Sequence, residues 1–299
     1  MKTVNVKKRT AFFFIVITVS VLCSIHPAAA ETILSDPDHI STGIEYRGVP
    51  DARVGDTFGY SRFLFGGMAE IRNESRFNQG ALPNHNWRGF VFLYFNKPLS
   101  DNENKLILTS GLEHESAHPT MGLNDGNDTA YDKIYDSTYR NINMNSLLLR
   151  LTGTSGTGYA LTLTGDVQLY YHSRNTPELP VNDLTWSEGI SGGFEFRYPV
   201  TGDTDFFISG FDRYIFQSRE KAKGNIYHDT DSGVETLYEE YPIINSTNTV
   251  SAKTGFIISN LVPSRKVSVY LGILYGNIYG FVDSREKRTV YSLGIEIFH

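Results

Sequence analysis

Long runs of alternating side chains, abundant aromatics and glycines, and no apolar stretch of membrane-helix length after residue 30 predict an all-β protein. The expected form is a single antiparallel transmembrane β-barrel of 10–12 strands, with twelve favoured. The 299-residue chain carries 2 Trp, 18 Tyr, 19 Phe and 27 Gly, residues of strands and turns rather than of helices. A hydrophobic fraction of 40% and a charged fraction of 20% exclude a disordered or collagen-like polymer. The single cysteine, Cys23, excludes a disulfide framework and a cysteine-based metal cluster.

Residues 1–30 read as a cleavable secretory signal, and 31–299 as one barrel domain of the cell outer membrane. Lys7, Lys8 and Arg9 form the basic start, Ala11 to Cys23 the apolar stretch, and Ala28-Ala29-Ala30 a small-residue cleavage site before Glu31. An uncleaved anchor would need a longer apolar run, and a lipoprotein signal would put a small residue rather than Leu22 before Cys23. The first thirty residues hold four of the 27 Lys and Arg and none of the 33 Asp and Glu, so the exported remainder stands at −10. So acidic a chain is a poor partner for nucleic acid, and it must tolerate an anionic envelope surface or bridge to it through cations.

Ten strands are expected near 67–75, 88–96, 105–118, 143–154, 158–172, 187–199, 204–217, 248–259, 266–279 and 289–298. An extra pair from 43–65 would make twelve; single-chain bacterial barrels have even numbers. Residues 31–58, with Pro37 and Pro50, read as an irregular lead-in on the periplasmic side or a partial plug. Tyr159, Leu161, Leu163, Val167, Leu169 and Tyr171 share one face, bracketed by tyrosines as an interfacial girdle would be. The opposite face carries Thr162, Thr164, Asp166, Gln168 and Tyr170. A soluble sandwich also alternates, but its strands run only about 5–6 residues. Its dry core would also reject Asp166, Glu195 and Arg197, which a polar lumen accepts. Residues 204–217 do not alternate cleanly, so their faces stay unassigned.

Loop lengths set the orientation. The polar stretches 119–142 and 218–247 are long, whereas 97–104, 155–157 and 260–265 are short, which puts the first group outside the cell and the second in the periplasm. Tyr291, Leu293, Ile295 and Ile297 share a face of the last strand, which resembles the C-terminal sorting strand of outer-membrane proteins. That likeness implies the barrel assembly machinery as a partner in biogenesis. Such strands finish on Phe; here Phe298 is penultimate and His299 is last.

The strand 105–118 carries the chemistry. Leu106, Leu108, Ser110, Leu112, His114, Ser116 and His118 share one face, and Glu113 and Glu115 the other. If the leucines meet lipid, so do His114 and Ser116, with Ser116 roughly 25 Å above Leu106 at the outer rim of the apolar band. A serine hydroxyl is a weak nucleophile until a neighbouring base takes its proton, and positions i and i+2 of a strand project side by side. Ser116 is therefore the candidate nucleophile and His114 the general base. The base needs a third group to orient it. Asn143 on the next strand is the first choice, with Asn141 and Asn145 held as substitutes because the register is open. His118 would help bind a headgroup or the oxyanion.

The order His114-x-Ser116 with Asn on the following strand resembles the site of outer-membrane phospholipase A, where those residue types serve as base, nucleophile and orienter. Over most of 43–299 the chain is similar to a family of predicted Gram-negative outer-membrane barrels of unknown function. Its members share the His-x-Ser-x-His run and a closing stretch like Tyr279-Gly280-Phe281 through Arg288-Thr289-Val290-Tyr291-Ser292-Leu293-Gly294. The family's glycine–aspartate pair is replaced here by Pro119-Thr120-Met121-Gly122. The resemblance implies the barrel fold and, through the site, a lipid acyl hydrolase acting on phospholipid or lipopolysaccharide. The competing reading is a non-enzymatic barrel, a narrow pore or a structural envelope protein, in which His114 and Ser116 are merely interfacial polar residues.

Three lesser features complete the reading. Asp125, Asn127 and Asp128 around Gly126 offer oxygen ligands for calcium, though the spacing departs from a full calcium loop and suits a solvated acidic loop. Glu113 and Glu115 fit a hydrogen-bonded lumenal network better than acid–base chemistry. A second copy of the chain, in a homodimer, would be placed to complete a lipid-facing site.

Overall fold

The computed structural model describes residues 32–48, 50–74, 84–101, 104–119, 142–176, 179–217, 221–230, 233–242, 246–277 and 287–299. The expected signal 1–30 and the candidate calcium residues Asp125, Asn127 and Asp128 lie outside the described residues. Among the described residues the regular structure is strand throughout: β1 (Thr42–Tyr46), β2 (Pro50–Tyr60), β3 (Phe63–Glu74), β4 (Asn84–Asp101), β5 (Lys105–Pro119), β6 (Ile142–Ser155) and β7 (Ala160–Thr176). There follow β8 (Leu179–Pro199), β9 (Thr204–Ile215), β10 (Lys221–Thr230), β11 (Gly233–Pro242), β12 (Thr247–Val262), β13 (Arg265–Asn277) and β14 (Lys287–Phe298). Twelve of these close into one antiparallel barrel, β1 sealing against β14 with Ile44 opposite Ile295. The expected fold class and its upper strand number are thus the observed ones.

Two stretches differ from expectation. The irregular lead-in ends at residue 41 rather than 58, because β1 and β2 already belong to the wall. The polar stretch 218–247 is not all loop. β10 and β11 pair as a separate hairpin, Asn225 opposite Tyr238, between β9 and β12. At one end the chain turns tightly, at Ser61–Arg62 between β2 and β3 and at Pro263–Ser264 between β12 and β13. At the other end β3 finishes at Glu74, β5 at Pro119 and β9 at Ile215, ahead of the longer sequence separations between neighbouring strands.

Wall faces follow the period of two. Outward positions are apolar: Leu147, Leu149 and Leu151 on β6, Leu163, Val167 and Leu169 on β7, Leu271 and Ile273 on β13, Leu293 and Ile295 on β14. Tyr60, Tyr159 and Tyr198 stand exposed near the tight turns, and Tyr46, Tyr214 and Tyr275 near the long connections. An apolar band therefore lies between two tyrosine belts. Inward positions are polar and buried, among them Thr109, Arg150, Asp166, Gln168 and Glu195. Room for rings inside comes from glycine: a Cβ on Gly294 would sit 2.3 Å from the Tyr270 hydroxyl, which donates to Glu45 at 2.5 Å.

A barrel of eight strands is just filled by its own side chains, so twelve leave a space to fill. Residues 32–41 fill it, entering at the tight-turn end and returning to β1. Leu34 packs with Phe207, Ile257, Tyr270 and Phe298, a burial worth about 1.5–3 kcal/mol for such a side chain. Its backbone N–H donates to Glu195 at 3.0 Å. At the tip, Asp36 meets Arg150 at 3.0 Å. Asp38 takes Arg213 at 2.7 Å and Arg88 at 2.5 Å. Burial alone would raise the Asp38 carboxyl; the Arg213 and Arg88 guanidiniums outweigh it and hold that carboxyl below the usual range. The expectation of a partial plug is the one that the fold realises.

Asp36→Asn with Asp38→Asn leaves three buried guanidiniums short of charge. Removing one partner of a buried pair costs about 3–5 kcal/mol. We expect the double variant to unfold at lower denaturant concentration and to become cleavable within 32–41 by added protease. Asp38's contribution is complete above its unfolded pKa near 3.9 and is lost as pH falls toward its lower folded value. The stability of Asp38→Asn alone should therefore fall less steeply below about pH 4 than that of the parent.

A candidate active site on the outward face

The site is built from three register rows across β4 to β8. Nearest the long connections, Ser116 on β5 lies between Gly89 on β4 and Asn143 on β6. In the next row His114 lies between Val91 and Asn145, and the row continues through Tyr171 on β7 to Trp186 on β8. The third row is Leu93, Leu112, Leu147 and Leu169. Polarity thus falls away from the long-connection end, and all three rows share the outward parity of Leu112 and Leu147.

His114 Nδ1 and Asn145 Oδ1 are 2.9 Å apart. An amide oxygen only accepts, so Nδ1 carries the hydrogen in this pairing; in the neutral ring that leaves the lone pair on Nε2, the form that a general base requires. Of the three asparagines, Asn145, one of the two substitutes, therefore partners the imidazole. Asn143, the first choice, stands opposite Ser116 in register, and Asn141 lies outside the described residues. Among the described residues no hydrogen bond joins Ser116 to His114. Catalytic contacts of this kind often tighten only when substrate arrives. His118 pairs with Trp87 in register, one outward step beyond Ser116.

Gly89 was not anticipated. Its Cβ, were there one, would stand 3.4 Å from Ser116 Oγ, so the absent side chain leaves the hydroxyl open on the β4 side. Also missed was the concavity below the imidazole, a groove of about 660 Å³ lined by His114, Asn145, Leu112, Leu147, Leu169, Tyr171 and Trp186 among others. Tyr171 and Trp186 pack with ring centroids 4.7 Å apart at its β8 end. The alternation of β8 could have shown the tryptophan, since Trp186 shares parity with exposed Ile190 and Phe194.

The other face of β5 is fixed from within. Glu113 accepts from Tyr94 at 2.6 Å, Ser146 at 2.8 Å and Gln168 at 2.6 Å. Glu115 accepts from Arg88 at 2.7 Å. Both carboxylates are spent in lumenal hydrogen bonds, as the network reading expects, and neither faces Ser116. Among the described residues no group of three or more His, Cys, Asp or Glu could hold a metal ion.

No protein-family model matches the chain, and no curated protein matches it.

The tautomer is directly measurable. Nitrogen-15 NMR of imidazole-labelled protein should show His114 protonated at Nδ1 and unprotonated at Nε2 when neutral. Asn145→Leu should abolish that bias, and Asn143→Leu should leave it intact.

Proposed function

We propose that the protein is an outer-membrane β-barrel, exported by a cleaved signal, that hydrolyses an acyl ester of a membrane lipid at its outer rim. The observation that carries the reaction is the His114–Asn145 hydrogen bond on the outward face, two residues from Ser116. A buried or bare histidine would need no such orienter. The apolar band and its two tyrosine belts support the membrane setting. Long connections outside and tight turns in the periplasm set the direction, which brings the Ser116 row to the outer leaflet.

In this reaction Ser116 Oγ attacks the ester carbonyl carbon while His114 Nε2 takes its proton. The tetrahedral intermediate then expels the alcohol, which leaves with that proton, and the acyl group stays on Ser116. A water, deprotonated by the same nitrogen, attacks the acyl-enzyme, releases fatty acid and restores the serine. Asn145 bonds Nδ1 and leaves Nε2 as the nitrogen for the proton transfer. Phospholipid and lipopolysaccharide both present acyl esters at this height.

The pore reading is disfavoured by the plug, whose tip ties Asp36 and Asp38 to Arg88, Arg150 and Arg213 on three different strands. A structural barrel would leave the oriented imidazole unexplained.

Refolded barrel in mixed phospholipid and lipopolysaccharide should release fatty acid, read by mass spectrometry. Ser116→Ala should abolish the release, and His114→Ala should slow it by about 10²–10⁴, the usual worth of a general base. Equal release from parent and Ser116→Ala, or none from a folded parent, would sink the reading.

A further inference from the structure

We infer that the leucine row beneath His114 is a binding site for one acyl chain of a bilayer lipid. The inference deepens the hydrolase reading, which supplies the ester end of that chain, but the site itself needs no chemistry. Leu93, Leu112, Leu147 and Leu169 stand side by side on four neighbouring strands, each with its side chain close to half exposed or more, save the last. They form the floor of the groove of about 660 Å³.

Its length selects the occupant. The leucine row runs from β4 to β7, three strand spacings of about 4.8 Å, or roughly 14 Å, and β8 closes its end. One leaflet of a hydrocarbon core about 30 Å thick is some 15 Å deep, which is the reach of one lipid chain. A helix, some 10–12 Å across with its side chains, is too broad for a single row of leucines. The ends agree with this. On β8 the leucine row stops at exposed Glu188, opposite Leu169 in register, and no apolar chain gains by passing a carboxylate. Just above, Tyr171 and Trp186 wall the same end. The polar edge of the groove is the row of His114 and Asn145, so a chain lying on the leucines brings its ester toward Ser116.

The test reads binding, not turnover. Ser116→Ala barrel is reconstituted in vesicles of phosphatidylethanolamine and phosphatidylglycerol, extracted in mild detergent and weighed by native mass spectrometry. A parallel arm adds lipopolysaccharide, and the mass of the retained species tells which lipid supplies the chain. We expect one lipid per barrel. Leu147→Trp in the same background fills the groove and should lower the retained fraction by at least about tenfold, roughly 1.4 kcal/mol. Leu149→Trp, two residues along on the same outward face but outside the groove, should retain lipid as before. Circular dichroism confirms that each variant is folded. No retained lipid, or equal loss in both tryptophan variants, overturns the inference. Lipid retention without fatty-acid release from the parent leaves the groove standing and removes the hydrolase, so the two readings fail separately.

Discussion

Two carboxylates at the tip of a re-entrant segment, Asp36 and Asp38, hold the interior together. Twelve strands enclose more space than wall side chains fill, and the chain fills it with residues 32–41. Burying carboxylates without partners is prohibitive. Arg88 on β4, Arg150 on β6 and Arg213 on β9 therefore reach the tip from three parts of the wall. Arg150 also holds Asp166 of β7, and Arg88 holds Glu115 of β5, so the ion pairs join plug and wall in one lattice. Such lattices contribute little net stability over an apolar filling, yet breaking one member is costly. They tie the plug to β4, β6 and β9, and β4 and β6 in turn to β5 and β7.

Much of this was legible in the amino-acid order. Where a strand sees apolar surroundings outside and polar ones inside, alternation names both faces, as it does for β6, β7, β13 and β14. β9 resisted for a reason the plug makes plain. Phe207 and Phe211 face inward, Phe207 against Leu34, so that strand is apolar on both sides and its period vanishes. β1, only five residues long, was legible just as half of an extra pair from 43–65, and β10 and β11 were hidden by the polarity of a hairpin that lies outside the barrel sheet. The outward parity of His114, Ser116 and the asparagines could be read directly. Which asparagine meets the imidazole could not. A shift of two residues in the β5–β6 register exchanges Asn143 for Asn145 without changing any face, so alternation is silent on the choice. The groove needed five consecutive strands set side by side in their registers, which alternation alone does not fix.

The strand β5 shows how the interior bears on the exterior. Its inward Glu113 and Glu115 are held by Tyr94, Ser146, Gln168 and Arg88, from β4, β6 and β7. His114 stands between those two carboxylates in sequence, and Ser116 directly after the second. A strand clamped on one face has little freedom to twist, so the side chains on the other are held in place before any ligand comes. That is the condition under which a hydroxyl and an imidazole can act together, since misplacement by about 1 Å can cost a hundredfold in rate.

The same plug determines where a reactive site is useful. Residues 32–41 are bonded across the lumen to Arg88, Arg150 and Arg213, and the inner face of β5 is taken up by Glu113, Glu115 and their partners. The outward face is different. It is broad and apolar, and at the level of His114 it changes from leucine to amide and hydroxyl within three register rows. An ester at the boundary between acyl chain and headgroup has that same change of polarity along its own length. A closed lumen and an outward site are thus parts of one arrangement. The ion pairs at the plug tip also reach the strand that carries Ser116 and His114 on its outward, largely apolar face, since Arg88 holds both Asp38 and Glu115.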